Sequence, residues 1–296
     1  MRRRIQVIWL FLTNGYWLFW DKSKLYTGIL KGICAPGLNC YSCPAATLGC
    51  PIGGIQLFLS TIRPNWRNGF YFLGMYIVGT LALIGGIVGR MPCGWACPFG
   101  LFQEILYKIP SRKFKLPEPL RYLKYGVLLF FVFLLPLALV DKTGYGQSWF
   151  CRYLCPAGTL EAGLPLLALV PSLRQQIGWL FFNKLTILIV FLVLMVFYKR
   201  PFCRILCPLG ALYGLFNKIS LFKLNVDKDK CILCDLCYKH CPMDIRVYEG
   251  ANQLECIRCL NCEKVCPVQA ISVVFGNNRT SSSKDTPHTG VYVPGK

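Results

Sequence analysis

The chain has 296 residues, 54% of them hydrophobic and only 16% charged, with mean hydropathy +0.45. Soluble domains carry roughly 25% charged residues, so this composition excludes an ordinary water-soluble globule and points to a bilayer as partner. The formal net charge of +20 comes from cations that flank apolar runs, a pattern of membrane orientation that argues against nucleic acid as a partner.

Four apolar segments follow in chain order: Ile5–Trp20, Phe70–Gly89, Tyr122–Val140 and Ile177–Tyr198. About 20 residues cross a bilayer, so each is expected to span it. Arg2–Arg4 ahead of the first gives it a positive flank, but bulky aromatics and no small-x-small site follow, so it is read as retained rather than cleaved. Trp9, Trp17, Trp20, Trp149 and Trp179 fall near segment ends, where an aromatic belt belongs. Lysine and arginine crowd the loop between segments two and three (Arg90, Lys108, Arg112, Lys113, Lys115, Arg121, Lys124) and the stretch after segment four (Lys199, Arg200, Arg204). Both termini are therefore expected in the cytoplasm. Gly85-Gly86-Ile87-Val88-Gly89 lies inside a span and reads as a close-packing stripe, not a nucleotide loop.

A Cys-Pro-x-Gly unit follows each segment: Cys50–Gly53, Cys97–Gly100, Cys155–Gly158 and Cys207–Gly210. The repeat is span, cysteine loop, short helix, with proline in the first helical turn and the helix amides facing the cysteines. Alternating direction puts units one and three outside, two and four inside. With 18 cysteines and only two histidines, His240 and His288, a bis-histidine haem in the membrane is excluded.

The most specific pattern is Cys231-x2-Cys234-x2-Cys237-x3-Cys241-Pro242, repeated as Cys256-x2-Cys259-x2-Cys262-x3-Cys266-Pro267. Three cysteines at this interval wrap one face of a 4Fe-4S cube, and in the bacterial two-cluster pattern the fourth serves the other cube. The expected sets are Cys231, Cys234, Cys237 and Cys266, and Cys256, Cys259, Cys262 and Cys241. Zinc knuckles pair two cysteines across a longer spacer and fit poorly. His240, between ligands, reads as a surface residue. Residues Val226–Val274 resemble a bacterial two-cluster ferredoxin.

Cys-x3-Cys-Pro occurs as Cys93/Cys97, Cys151/Cys155 and Cys203/Cys207. Each pair supplies half a cubane, and Cys93, Cys97, Cys203 and Cys207 share one membrane side, so a shared cluster is favoured over dithiols. Six cysteines lie on the outer side. By repeat analogy Cys43 and Cys50 join Cys151 and Cys155 on a cluster, with Cys34 and Cys40 as further candidates. Alternatively Cys34, Cys40, Cys43 and Cys50 form a self-contained site, leaving Cys151 and Cys155 to form a disulfide.

Together these features resemble the NapH/NosR-type family of polyferredoxin membrane proteins, over Ile5 to about Val274. The resemblance implies electron transfer in the cytoplasmic (inner) membrane of a prokaryote, with redox proteins, the lipid bilayer and possible quinone as partners. The expected fold is an α-helical multi-pass membrane region over residues 1–222 and a small α+β ferredoxin region over 223–275, followed by a disordered tail over 276–296. Four 4Fe-4S clusters are expected, two in each region, with those of the membrane region sunk towards the midplane. A different class, an anchoring or assembly subunit whose ferredoxin recruits a cytoplasmic oxidoreductase, fits the same residues.

Overall fold

The computed structural model describes residues 1–16, 25–67 and 72–276. They form a mostly helical molecule with one two-stranded sheet. Two helices, Glu118–Ala138 and Trp179–Phe197, are long and apolar enough to cross a membrane, and Gly74–Val88 is a shorter apolar helix. At ~1.5 Å per residue the Trp179–Phe197 helix covers roughly 28 Å, the thickness of a hydrocarbon core. Only 17% of its most apolar window is buried, and Ile189, Val190 and Val193 point outward. A core helix of a soluble protein would bury that surface; this one leaves it exposed.

The first expected span, Ile5–Trp20, is helical in a shorter stretch, Arg2–Thr13. Asn14 and Thr13 end it: the Thr13 hydroxyl donates to the Trp9 carbonyl, and the Asn14 side-chain amide to Leu10. Such local side-chain bonds compete with helix propagation. Residues 17–20 lie outside the described residues, as does the tail from 277 onward.

The Pro51–Arg67 helix packs beside Phe72–Val88, which in turn meets Pro208–Phe216. Gly85 permits the second contact, since a Cβ there would lie 2.7 Å from the Phe216 ring. Residues 150–169 form short helical turns, of which 150–154 and 159–163 are wound with the wider π spacing. Phe99 and Phe202 pack edge to face at 4.9 Å and knit the second and fourth cysteine loops together.

In the C-terminal region, antiparallel strands β1 (Phe222–Val226) and β2 (Ile271–Phe275) pair Phe222 with Phe275 through Val226 with Ile271. Between them, both halves repeat one backbone device. Leu233 and Asp235 in the first half, and Arg258 and Leu260 in the second, take left-handed conformations with φ from 48° to 60°, as do Asp244 and Gln269 after each Cys-Pro. This conformation costs a residue with a Cβ roughly 1–2 kcal/mol. Its recurrence at matching positions curls the chain in the same way in each half.

This region is fastened to the helical one by buried charges. Glu255 accepts from Arg90 at 3.0 Å and from the Lys124 ammonium, and Asp244 pairs with Arg204 at 2.7 Å and Lys199 at 3.0 Å. Asn217 donates to the carbonyls of Gln253 and Cys256, and Trp95 donates to the carbonyl of Arg258. Arg90 and Arg204, and Arg200 through its pair with Glu104, are thus buried ion-pair partners rather than exposed orientation charges. Removing one partner of a buried pair strands the others, at about 3–5 kcal/mol. Glu255→Ala is accordingly expected to lower the thermal midpoint of the detergent-solubilised protein by that much stability; a midpoint unchanged from wild type would show that the triad contributes little.

Candidate iron–sulfur centres

Each Cys-Pro-x-Gly unit opens a helix, and the residues explain why. Cysteine is the cap, proline takes the first position where no N–H is needed, and the glycine amide turns back to the cysteine sulfur. Gly100 donates to Cys97 at 3.4 Å and Gly210 to Cys207 at 3.4 Å. The Gly53 and Gly158 amides lie beside Cys50 and Cys155 at the matching positions and oppose the rise that burial gives those thiols. Every such thiolate is thereby met by a helix N-terminus.

The second and fourth units come together. Cys93, Cys97, Cys203 and Cys207 are all buried and lie within each other's electrostatic reach. Their surroundings show an approximate two-fold exchange. Arg90 donates to the carbonyl of Cys203 at 2.9 Å, and Arg200 to the carbonyl of Cys93 at 2.8 Å. Gly210 lies against Arg90, where a Cβ would come within 2.7 Å, and Gly100 lies against Arg200. Gln103 donates to the Cys203 sulfur at 3.0 Å. Tyr213 occupies the matching position six residues after Cys207, fully buried and near Cys93. Burial pushes the Cys93 thiol up, and the Arg90 guanidinium beside it opposes that shift. Glu104 holds Arg2 and Arg200 together; burial raises its carboxyl, but the two guanidinium groups outweigh burial and hold it below the ordinary carboxylate range.

The first and third units also meet, with a different membership from the expected one. Cys40, Cys50, Cys151 and Cys155 are mutual neighbours. A Cβ on Gly158 would sit 3.6 Å from the Cys40 sulfur and 3.9 Å from that of Cys155. The Cys43 sulfur lies 3.9 Å from the Asn14 side-chain oxygen, and Cys34, 3.8 Å from its neighbour's carbonyl, lies within reach of Cys50 alone of the set. Glu161 is buried beside this set and accepts from the Cys40 amide at 2.7 Å. Burial raises its carboxyl to about 7, against the pull of that amide.

The C-terminal region contains a pair of cavities. One is lined by Cys241, Cys256, Cys259 and Cys262; the other by Cys231, Cys234, Cys237 and Cys266. These are the two crossed sets expected from the spacing. His240 is exposed, with its ring Nδ1 3.0 Å from the Leu236 carbonyl oxygen.

Among the described residues no three Cys, His, Asp or Glu side chains are grouped tightly enough for one metal ion. Four thiolates on a single zinc would be drawn to ~2.3 Å from it. The open sets suit a larger, anionic group. Buried donors left without a protein partner fit the same reading: the Tyr213 hydroxyl near Cys93, Arg90 Nε, and Arg258 Nε and a terminal nitrogen beside Cys256.

Arg90, Arg200, Gln103 and Tyr213 went unread as site residues in the sequence. Their signal is a fixed offset: an arginine three residues before the first cysteine of units two and four, and a polar side chain six residues after the second. Unit three has Ser148 where the arginine would stand, which marks the two centres as different.

Residues 70–117, 123–164 and 180–227 match the family described as 4Fe-4S binding domain, and residues 223–267 match the 4Fe-4S dicluster domain. The chain is 32% identical to protein MJ0749 of Methanocaldococcus jannaschii, over 74% of this chain and 84% of that protein. It is 25% identical to the putative electron transport protein YccM of Escherichia coli, over 79% of this chain and 64% of that one. It is 27% identical to the ferredoxin-type protein NapH of Haemophilus influenzae, over 63% of each. No solved structure matches. With ferredoxin-type domains in both regions and relatives of this kind, the chain belongs to the NapH/NosR-type polyferredoxin family, whose iron–sulfur proteins transfer electrons.

Proposed function

We propose that this protein is a membrane-embedded relay that moves single electrons between a quinol, or another donor at the membrane or its outer face, and redox partners, through about four 4Fe-4S clusters. A cluster held by four cysteines supplies a one-electron carrier whose potential follows burial and hydrogen bonds to its sulfurs. We assign Cys93, Cys97, Cys203 and Cys207 to an inner centre and Cys40, Cys50, Cys151 and Cys155 to an outer one. The crossed sets of the C-terminal region hold the other two. The membrane region corresponds to residues 1–222 and the ferredoxin region to 223–275.

The observation that carries this reading is the continuity of the thiol sets. The loop bearing Cys93 and Cys97 rests on the loop bearing Cys256 and Cys259: a Cβ on Gly94 would meet the Ile257 carbonyl at 2.6 Å. Arg200 lies in reach of Cys203, Cys97 and Cys259 alike. The C-terminal cavities follow, and the second ends at the surface, where Cys234 is exposed between Leu233, 57% exposed, and Asp235. Ile232 is 61% exposed there, giving a soluble partner an apolar contact beside the last centre.

The four apolar segments embed this file in the cytoplasmic membrane, with the ferredoxin region and both termini inside. Arg2 supports the orientation, because it pairs with Glu104 on the same face as Arg200 and the docked ferredoxin region. A quinol would approach the outer thiols from the apolar helix faces; oxidising one to quinone releases two electrons and two protons, and the electrons leave singly.

Oxygen-free protein is expected to be brown and to contain iron and acid-labile sulfide in equal amounts. Cys97→Ser and Cys207→Ser are each expected to remove the same EPR species; loss of two different species would refute the shared inner centre. Addition of a quinol analogue to the oxidised protein is expected to bleach its visible absorption, whereas an unchanged spectrum with intact clusters would favour the anchoring role.

A further inference from the structure

The segment Gly37–Cys40, buried from Gly37 to Asn39, lies between the inner and outer thiol sets, and it touches both. Gly37 rests on the inner loop: a Cβ there would come within 2.8 Å of the Cys97 Cα and 2.9 Å of the Ala96 carbonyl oxygen. No residue with a side chain fits without moving that backbone. Three positions on, the sulfur of Cys40 lies beside that of Cys155 in the outer set. Three residues of extended chain reach at most about 11 Å, which bounds the backbone separation between the Gly37 and Cys40 Cα atoms.

The amides between these ends are directed the same way. The Leu38 N–H lies near Cys97, and that of Asn39, the next one along, lies near Cys50. Two consecutive peptide groups therefore lie between a ligand of one centre and a ligand of the other. The segment is dry and clamped. Leu38 is 2% exposed and Asn39 fully buried, and the Asn39 side chain donates to the carbonyls of Thr13 and Leu48 at 3.3 and 3.4 Å. The N-terminal helix sets the same scale independently. Its Arg2 end pairs with Glu104 near the inner centre, and Thr13 accepts from Thr47 in the outer loop at 2.9 Å. Twelve residues of helix rise only about 18 Å.

We propose that Gly37–Cys40 is the electron bridge across the membrane region, coupling the outer centre to the inner one through the Leu38 and Asn39 amides. The step is a one-electron exchange: one centre is oxidised by one electron as the other is reduced by one, with no bond made or broken and no proton required. Gly37 is the positioning residue that allows the approach, and the Leu38 amide is a donor that tunes the inner centre.

This inference rests on the two membrane centres proposed above, and the experiment separates the two ideas. In full-length, oxygen-free protein reduced stepwise, the EPR spectra of the inner and outer centres are expected to broaden and split once both are paramagnetic. The splitting should vanish in Cys155→Ser, which lacks the outer centre. Gly37→Val should keep iron and sulfide at wild-type content while narrowing the splitting. Leu38→Pro, which deletes the N–H, should lower the midpoint potential of the inner centre, whereas Leu38→Ala, which keeps it, should leave that potential unchanged. Protein without sulfide would end the cluster reading itself. Intact clusters that never interact, or a Leu38→Pro potential equal to wild type, would overturn the bridge alone. Should Leu38→Pro not assemble, the wild-type splitting decides by itself.

Discussion

Negative charge buried away from water is the constraint around which this protein is arranged. Thiolates that grip iron and sulfide carry charge into a region where water cannot solvate it, and an isolated buried anion there is prohibitively costly. Two kinds of compensation meet that charge. Helix N-termini present amides to Cys50, Cys97, Cys155 and Cys207, and fully buried guanidinium groups of Arg90 and Arg200 surround the inner set. Some of the +20 formal charge is therefore interior, placed where anionic groups belong, rather than spread along a membrane surface.

The inner centre also explains why neighbouring repeats do not pair with each other. Arg90 belongs to unit two but bonds to the carbonyl of Cys203 in unit four, and Arg200 returns the contact to Cys93. Each unit thus lacks something that only its alternate supplies. The exchange demands close backbone approach, which is why Gly100 and Gly210 stand where a methyl group would strike the opposite arginine. Both arginines then reach a carboxylate, Glu255 for one and Glu104 for the other. Through Glu255 the docking of the ferredoxin region shares its charges with the inner centre.

Much of this was legible from the chain. The crossed ferredoxin sets follow from local spacing, since three cysteines two residues apart leave few geometric choices, and the expected meeting of units two and four matches the bonds that Arg90 and Arg200 make across them. Cys40 was harder. The third unit has its partner cysteine four positions earlier, whereas Cys40 and Cys50 are separated by a loop, and only the folded course of that loop brings Cys40 rather than Cys43 to Cys155. The arginines escaped for another reason. Beside apolar segments they look like interfacial charges, and nothing in composition distinguishes a cation facing lipid headgroups from one facing a buried thiolate. The first segment shows the limit of hydropathy: its apolar run continues past Asn14, but hydrogen bonds from Thr13 and Asn14 to the preceding turn close the helix there.

The same constraint links cluster loading to folding. Arg90 Nε, the Tyr213 hydroxyl and two nitrogens of Arg258 are buried without a protein acceptor. A donor in that state costs roughly 1–3 kcal/mol, more when it is charged. Six backbone positions of the ferredoxin region, from Leu233 to Gln269, add the strain of left-handed residues. Hydrophobic packing alone gives no reason to accept these costs together, whereas a group offering sulfide and thiolate acceptors at each centre removes the first and gives the second its shape. The polypeptide and its inorganic guests are therefore members of one cooperative structure, in which metal binding is folding free energy. Because Arg90, Glu255 and Arg258 connect the inner centre to the Cys256 loop, loss of either centre withdraws support from the other.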